Sequence, residues 1–525
     1  MVKKYIPMLL VCCCTLLSAQ NNTASMDQVR KLVMAHSAIA NLYVDEVDEA
    51  KIVEASVKAM LKELDPHSTY LTADEVKKMN EPLQGNFEGV GIQFNMAEDT
   101  LFVIQTVSKG PSEKVGILPG DRIITVNDTA IAGVKMARDE IMKRLRGPKG
   151  SVVVLGVVRR GYGEPLVFRV TRDKIPVHTL DAAYMIAPKV GYIKISSFGA
   201  TTHEEFRTAL TKLKAEKMQH LILDLQGNGG GYLKAAVDMA NDFLQEGQQV
   251  VYTEGYKSPR QEFKAEGKGQ FQEGRLVVLI DEYTASAAEI VTGAVQDWDR
   301  GVVVGRRSFG KGLVQRPVPM PDGSLIRLTI ARYHTPSGRC IQKPYGEDID
   351  YHKDLIGRLN KGELMHADSI HFPDSLRYHT RVKARTVYGG GGIMPDYFVP
   401  LDTMSYTKYH RELTAKGAIV NTNLIVIDRY RKEFESRYPD FKAYNRKFEV
   451  DDAILSILLA EAEKAGVKYD EKLYQASLPL IKVQLKALIA RDLWDMTQFY
   501  EIYNLTDETV MKGLEIIQGK EFLEF

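Results

Sequence analysis

The 525-residue sequence predicts a multidomain protein of the α/β (α+β) class. Three patterns support this: short apolar strands between turns, then strands alternating with amphipathic helices, then helical periodicity alone. At about 150 residues per domain, a chain of this length holds three or four units. The predicted units are a helical N-terminal region (20–84), a β-rich module (85–175), an α/β core (176–402, with an insertion at about 343–388) and a helical C-terminal extension (403–525).

The charge balance narrows the choice of partners. Lys and Arg number 69 against 68 Asp and Glu, so the formal net charge is +1. This near-neutral balance argues against nucleic acid as a partner. The 26% charged and 44% hydrophobic fractions are ordinary for a globular protein and exclude wholesale disorder.

Residues 1–19 predict an export signal. Lys3 and Lys4 precede an apolar stretch that ends near Leu17, and Ser18-Ala19 supplies small residues for cleavage. The stretch is shorter than the roughly 20 residues that span a bilayer, although a retained anchor stays an alternative. We therefore expect a periplasmic protein without a transmembrane segment in its mature chain.

Five strand-like segments follow one another in the β-rich module: GVGIQF, LFVIQTV, RIITVN, VVVLGVV and LVFRVT. One helical stretch lies near 137–145. This pattern predicts a compact binding module. From residue 176 onward, strands such as HLILDL and RLVVLI alternate with helical segments, which indicates an α/β core.

Three loops at strand ends of the core carry candidate chemistry. The first, DLQGNGGGYLKAA, runs from a buried strand through four glycines into a helix. Its backbone N–H groups can bind a phosphate or an oxyanion, or the glycines can simply form a tight turn. The spacing of the glycines departs from the nucleotide-binding pattern GxGxxG. The second, TASAAEI, places Ser286 at a helix start, where an ordinary N-cap serine would look the same.

The third loop contains Lys311 in SFGKGLVQ. Residues 305–311 nearly match a phosphate-binding loop, but Gly312 replaces the required Ser or Thr and a strand follows. A serine and a lysine on neighbouring loops can instead form a nucleophile and its general base. The lysine can act as a base only if burial lowers its pKa, and Gln315 could bind its amine without adding charge.

These motifs resemble the C-terminal processing peptidases, or tail-specific proteases, of the serine–lysine type. The resemblance covers about residues 25–400 and includes the later motifs RYHTPSGRCIQ and GGIMPD. It implies a crotonase/ClpP-like core that needs no metal or other cofactor. The implied site residues are the catalytic Ser286, Lys311 and Gln315, the oxyanion-hole residues Gly230 (with Gly229 as the alternative) and Ala287, and the supporting Glu289 and Asp297.

The same resemblance identifies the β-rich module as a PDZ domain. Gly89, Val90, Gly91 and Ile92 are similar to the loop that binds a terminal carboxylate. We therefore expect a serine endopeptidase that cleaves proteins recognised through free, unstructured C-terminal tails. An adaptor protein and a homo-oligomer stay open as partners. The main alternative is a non-catalytic PDZ scaffold that only binds such tails.

Overall fold

The computed structural model describes residues 26–97, 99–346 and 349–524. The chain divides into two compact units, one built from residues up to 74 with 315–329 and the other from 75–314 with 330 onward. The predicted signal peptide, residues 1–19, lies outside the described residues. Among the helices that are described, none combines the length and the apolar character needed to cross a membrane.

The first unit confirms the predicted helical N-terminal region. The N-terminus of its second helix is capped by Asp48, whose carboxylate accepts the Lys51 N–H at 3.1 Å. A short strand then pairs antiparallel with a returning segment of the chain, with Thr69 opposite Arg327. The elements are α1 (described over residues 26–42), α2 (Glu49–Lys62), β1 (Thr69–Leu71) and the turn-side halves of β17 (Leu313–Pro319) and β18 (Leu325–His334).

The β-rich module of the second unit has the predicted strands and helix. Helix α3 (Ala73–Leu83) leads into it, and its main sheet has the order β3-β4-β5-β7-β8, with β6 beside β5 and a separate β2–β9 pair. Alternate strand residues meet in one apolar core. The strands are β2 (Asn86–Gly89), β3 (Ile92–Ala97), β4 (Thr100–Thr106), β5 (Arg122–Val126), β6 (Thr129–Ala130), β7 (Val152–Val158), β8 (Leu166–Thr171) and β9 (Asp173–Pro176), and the helices are α4 (Pro111–Lys114) and α5 (Arg138–Leu145).

A six-stranded sheet of order β10-β11-β12-β15-β16-β21 forms the centre of the α/β core. The β10–β11 pair is antiparallel, and every later pair is parallel. Its elements are β10 (Leu180–Ala187), β11 (Val190–Ile195), α6 (Thr202–Ala215), β12 (His220–Asp224), α7 (Leu233–Asn241), β15 (Leu276–Ile280), α8 (Ala287–Asp297), β16 (Val302–Gly305) and β21 (Tyr397–Phe398). Strands β13 (Gln249–Gly255) and β14 (Ser258–Lys264) pair with each other, and β13 also pairs with the end of β18.

Both faces of this sheet are covered, which explains why its central strands are apolar throughout. Helices α6, α7 and α8 pack on one face in the largest hydrophobic cluster. Val510, Ile516 and Ile517 of a C-terminal helix pack on the other face. The second face of the sheet is therefore covered by a helix, Glu508–Gln518, that begins about 200 residues after the end of β16.

The predicted insertion contains short elements instead of irregular chain alone. It includes α9 (Asp354–Asn360), β19 (Arg377–His379) and β20 (Thr386–Tyr388), with single 3₁₀ turns between them. Arg358 of α9 is buried and donates to backbone carbonyls of the loop before Lys311, including Ser308 O at 2.9 Å. The insertion thus supports the loop that carries the predicted base.

The C-terminal extension is helical, as predicted, and has its own hydrophobic core. It also contacts the β-rich module, since Leu424 packs with Phe102 and Ile104 while Asp428 pairs with Arg122 at 2.8 Å. Its helices are α10 (Lys408–Ala415), α11 (Ala418–Arg437), α12 (Phe441–Lys447), α13 (Asp452–Lys464), α14 (Glu471–Leu493), α15 (Met496–Tyr503), α16 (Glu508–Gln518) and α17 (Glu521–Glu524).

Candidate active site

The three candidate loops leave the same edge of the central sheet. Strands β12, β15 and β16 are neighbours and run parallel, so their carboxyl ends lie side by side. The glycine loop follows β12, the Ser286 loop follows β15, and the Lys311 loop follows β16. The edge of an open parallel sheet beyond its strand ends is the usual place for a ligand in α/β folds.

Ser286 has an unusual backbone. Its φ is +56° and its ψ is −116°, a combination that costs free energy for any residue with a Cβ. It lies immediately before helix α8, and its side chain is half-buried. A strained turn from strand to helix is the arrangement that presents the nucleophilic serine in α/β-hydrolases.

The carboxylate of Glu289 links the serine and lysine loops. Its Oε2 accepts the Ser286 N–H at 2.8 Å and the Lys311 N–H at 2.9 Å. Its Oε1 accepts the Ser308 hydroxyl at 2.6 Å and the Gly310 N–H at 2.8 Å. Burial raises the pKa of this carboxyl, while the four donated hydrogen bonds act in the opposite direction. Glu289 therefore joins the backbones of the two predicted catalytic residues.

Tyr333 on β18 makes a second connection between the same two residues. Its hydroxyl lies 3.1 Å from the carbonyl oxygen of Ser286 and also contacts the carbonyl oxygen of Lys311. The side chain is buried, and burial raises the pKa of its hydroxyl. The motif RYHTPSG contains this tyrosine, but no local pattern predicts the contact. Tyr333 lies 47 residues after Ser286 and 22 residues after Lys311 along the chain.

The glycine loop lies directly against the serine. A Cβ on Gly230 would lie 2.7 Å from Ser286 Cβ and 2.9 Å from the Ala287 nitrogen, so no side chain fits there. The Gly230 N–H, one of the predicted oxyanion donors, donates to Asn228 Oδ1 at 2.8 Å in this structure. Ala287 is the first residue of α8, where N–H groups have no acceptor within the helix.

Gln315 belongs to the first unit of the structure. Its side-chain amide donates to Thr329 Oγ1 at 3.4 Å, and that hydroxyl donates to Asp65 Oδ1 at 3.1 Å. Asp65 also accepts the backbone N–H groups of His67 and Ser68. Sequence reasoning missed Thr329 and Asp65, since nothing in their local pattern connects them with Gln315.

Asp297, predicted to support the site, lies at the other end of helix α8. Its Oδ1 accepts a hydrogen bond from Arg339 at 2.7 Å, and its Oδ2 accepts the Ser337 N–H at 2.8 Å. Both members of the ion pair have fully buried side chains. The structure therefore places Asp297 in the packing of the core and not beside Ser286.

The predicted carboxylate-binding residues 89–92 lie at the end of a groove between β3 and α5. Gly91 has a φ of +73°, and its carbonyl oxygen accepts the Val107 N–H at 3.0 Å. This hydrogen bond fixes the backbone of the loop just before the start of β3. Within the described ranges, no group of three His, Cys, Asp or Glu side chains is arranged to hold a metal ion.

Comparisons with known families match the same regions. Residues 189–352 match the family model described as "Peptidase family S41", and residues 89–171 match the model described as "PDZ domain". "Activating protease CtpB N-terminal domain" covers 15–75, and a family of unknown function covers 409–495. Together with the fold, these matches define a peptidase that carries a PDZ domain.

Two relatives compared by sequence define more closely the group of peptidases to which the chain is similar. The carboxy-terminal-processing protease of Bartonella bacilliformis is 31% identical over 74% of this chain and 87% of its own. Carboxy-terminal processing protease CtpB of Bacillus subtilis is 35% identical over 61% of this chain and 66% of its own. Among solved structures, the photosystem II D1 C-terminal processing protease aligns with 70% of this chain and 91% of its own, at 25% identity and a TM-score of 0.34. The chain belongs to Peptidase family S41, among relatives named carboxy-terminal processing proteases.

Proposed function

We propose that the protein is a serine endopeptidase that uses a Ser286–Lys311 dyad to cleave proteins recognised through unstructured C-terminal tails. One observation carries the proposal: the N–H groups of Ser286 and Lys311 donate to the same oxygen of Glu289. The strained backbone of Ser286 and the family membership support it. The export pattern of residues 1–19 further favours a periplasmic location.

The proposed reaction has two steps. Ser286 Oγ attacks the scissile carbonyl carbon while the neutral Lys311 amine takes the hydroxyl proton, and the lysine then passes this proton to the departing amine. A water molecule next attacks the acyl-enzyme, with Lys311 again as the base. The second step releases the product acid and returns the proton to Ser286 Oγ.

The tetrahedral intermediates carry an oxyanion that needs hydrogen-bond donors. The Ala287 N–H at the start of α8 and the Gly230 N–H are the proposed pair, each worth about 3 kcal/mol in the transition state. For Gly230 to serve, its N–H has to exchange Asn228 Oδ1 for the substrate oxygen. Asn228 would therefore hold the glycine loop in place between turnovers.

The dyad is tested by cleavage of a peptide with a free C-terminus. Ser286→Ala and Lys311→Ala should each lower kcat by about 10⁴-fold or more. Ser456→Ala and Lys257→Ala, which change exposed residues outside the site, should keep native activity and serve as matched controls. Retained turnover in either dyad variant, with an unchanged circular dichroism spectrum, would contradict the assignment.

The same mechanism predicts a dependence on pH. Since only the neutral amine of Lys311 accepts a proton, kcat/KM should rise with pH as this group deprotonates. A profile measured between about pH 5 and 9 that stays flat would count against a lysine base.

A non-catalytic PDZ scaffold is the alternative function. It predicts tail binding without turnover and no covalent label from a fluorophosphonate probe. Labelling of the native protein but not of Ser286→Ala would exclude it, because the probe reacts only with an activated serine.

A further inference from the structure

The PDZ domain contains a groove of about 310 Å³ between strand β3 and helix α5. Apolar side chains from both elements line it, including Ile92 and Phe94 from the strand and Met142 and Leu145 from the helix. Strand β3 lies at the edge of its sheet. An extended peptide can therefore pair with β3 and direct alternate side chains toward α5.

Two arginines also line this groove, and their surroundings differ. Arg146 forms an ion pair with Glu81, and its guanidinium lies 4.8 Å from the centre of the Phe87 ring. Arg138 is exposed and lies over Phe94 at 5.4 Å. Among the described residues, no carboxylate lies within ion-pair distance of Arg138.

The acidic neighbours of Arg138 on α5 pair with other cations. Asp139 accepts from Lys78 at 2.9 Å, and Glu140 lies 3.2 Å from Arg144. The Lys78 contact holds the pKa of the Asp139 carboxyl below its usual value. The groove therefore presents a positive charge at Arg138 that these carboxylates do not neutralise.

The geometry of the groove indicates which peptide residue meets Arg138. A Cβ on Gly89 would lie 3.6 Å from Leu145 O, so the carboxylate-binding loop is at the Leu145 end of α5. Arg138 lies one to two helical turns away from Met142 and Leu145, or about 6–10 Å at 1.5 Å per residue. An extended peptide covers this in two or three residues at about 3.3 Å each. Because side chains alternate, the residue two before the last also points toward α5.

We propose that this groove selects C-terminal tails with Asp or Glu at the third-from-last position, paired with Arg138. The inference rests on the proposed tail recognition and names a substrate class within it. The competing explanation is that Arg138 only covers the Phe94 ring, in which case the peptide charge at this position has no effect.

The test measures peptide binding to the full chain with Ser286→Ala, which prevents cleavage. Three fluorescent decapeptides share an apolar last residue and differ only at the third-from-last position, which is Glu, Gln or Lys. We expect the Glu peptide to bind about two- to fivefold more tightly than the Gln peptide, and the Lys peptide to bind most weakly. The difference should shrink from 50 to 500 mM salt, since an exposed pair is screened.

Substitutions then assign the effect to one side chain. Arg138→Gln should abolish the Glu-to-Gln difference, and Arg138→Glu should reverse the preference toward Lys. Lys143→Gln removes an exposed charge on the same helix that does not line the groove, so it should leave the preference unchanged. An unchanged preference in Arg138→Gln would overturn the inference.

A C-terminally amidated Glu peptide separates this inference from the proposed function. If free and amidated peptides bind equally, tail recognition itself fails, and the inference fails with it. If only the free peptides bind but all three bind equally, tail recognition stands and the role of Arg138 is overturned.

Discussion

The two ends of helix α8 both contain a buried carboxylate, but they stabilise it differently. At the N-terminal end, Glu289 accepts hydrogen bonds from three backbone N–H groups and the Ser308 hydroxyl. At the C-terminal end, Asp297 is paired with the guanidinium of Arg339. The N-terminus of a helix favours negative charge and the C-terminus opposes it, so a buried carboxylate needs a cationic partner only at the C-terminal end.

This difference indicates different roles for the two carboxylates: Glu289 positions the loops of the proposed dyad, and Asp297 stabilises the packing of the core. The donors to Glu289 come from the loops of Ser286 and Lys311, so its hydrogen bonds set the relative position of the proposed dyad. The partners of Asp297 belong to the segment around 337–339, which is distant from the dyad along the helix. Changes at Glu289 should therefore affect activity, and changes at Asp297 should affect stability.

Among changes at the two ends of α8, the largest expected effect follows from breaking the Asp297–Arg339 pair. Asp297→Asn leaves a fully buried guanidinium without its counter-ion, which should lower the free energy of unfolding by about 3–5 kcal/mol. Urea denaturation measures this loss. The double variant Asp297→Asn/Arg339→Met should recover part of the stability because it also removes the buried charge. A stability within about 1 kcal/mol of the native value for Asp297→Asn would mean that the pair is not a packing element.

Glu289→Gln is the matched change at the other end of the helix. Both oxygens of Glu289 accept a backbone N–H, so either orientation of the amide places its NH₂ group against a donor. We expect kcat to fall about 10- to 100-fold, or roughly 1.4–2.8 kcal/mol, because the serine and lysine loops shift. Steady-state kinetics should show this loss in kcat with little change in KM. Full activity combined with lower stability would instead make Glu289 a packing residue like Asp297.

The smallest effect is expected for Tyr333→Phe. The change removes the hydroxyl that contacts the carbonyl groups of Ser286 and Lys311 but keeps the buried ring. One lost hydrogen bond costs about 1 kcal/mol, so kcat should fall less than about tenfold. A double-mutant cycle with Glu289→Gln should show non-additive losses if both residues hold the same two loops. Strictly additive losses would argue that they act on separate parts of the site.

Much of the architecture could be predicted from local patterns. The apolar segments LFVIQTV, RIITVN and VVVLGVV form β4, β5 and β7, and the helical stretch at 137–145 forms α5. The glycine loop lies between a buried strand and a helix, as its composition indicated. Such predictions succeed because burial and turn chemistry act over a few neighbouring residues.

The contacts of the site were less predictable. Glu289 was expected to support the site, but its acceptance of donors from both loops depends on how β15 and β16 are placed side by side. The family resemblance implies the same role for Asp297, although helix α8 separates it from Ser286. No local pattern predicts a role for Tyr333 or Arg358, because each reaches the loops from an element that is not adjacent in sequence.

The order of the elements, the residue types at the three strand-end loops and the family resemblance can be read from the amino-acid sequence, because these features depend on short patterns. The folded arrangement is needed to know which groups share a hydrogen-bond acceptor, which carboxylate pairs with a cation and which groove arginine keeps its charge exposed. Those outcomes depend on distances between segments that are far apart along the chain, and no local periodicity encodes such distances.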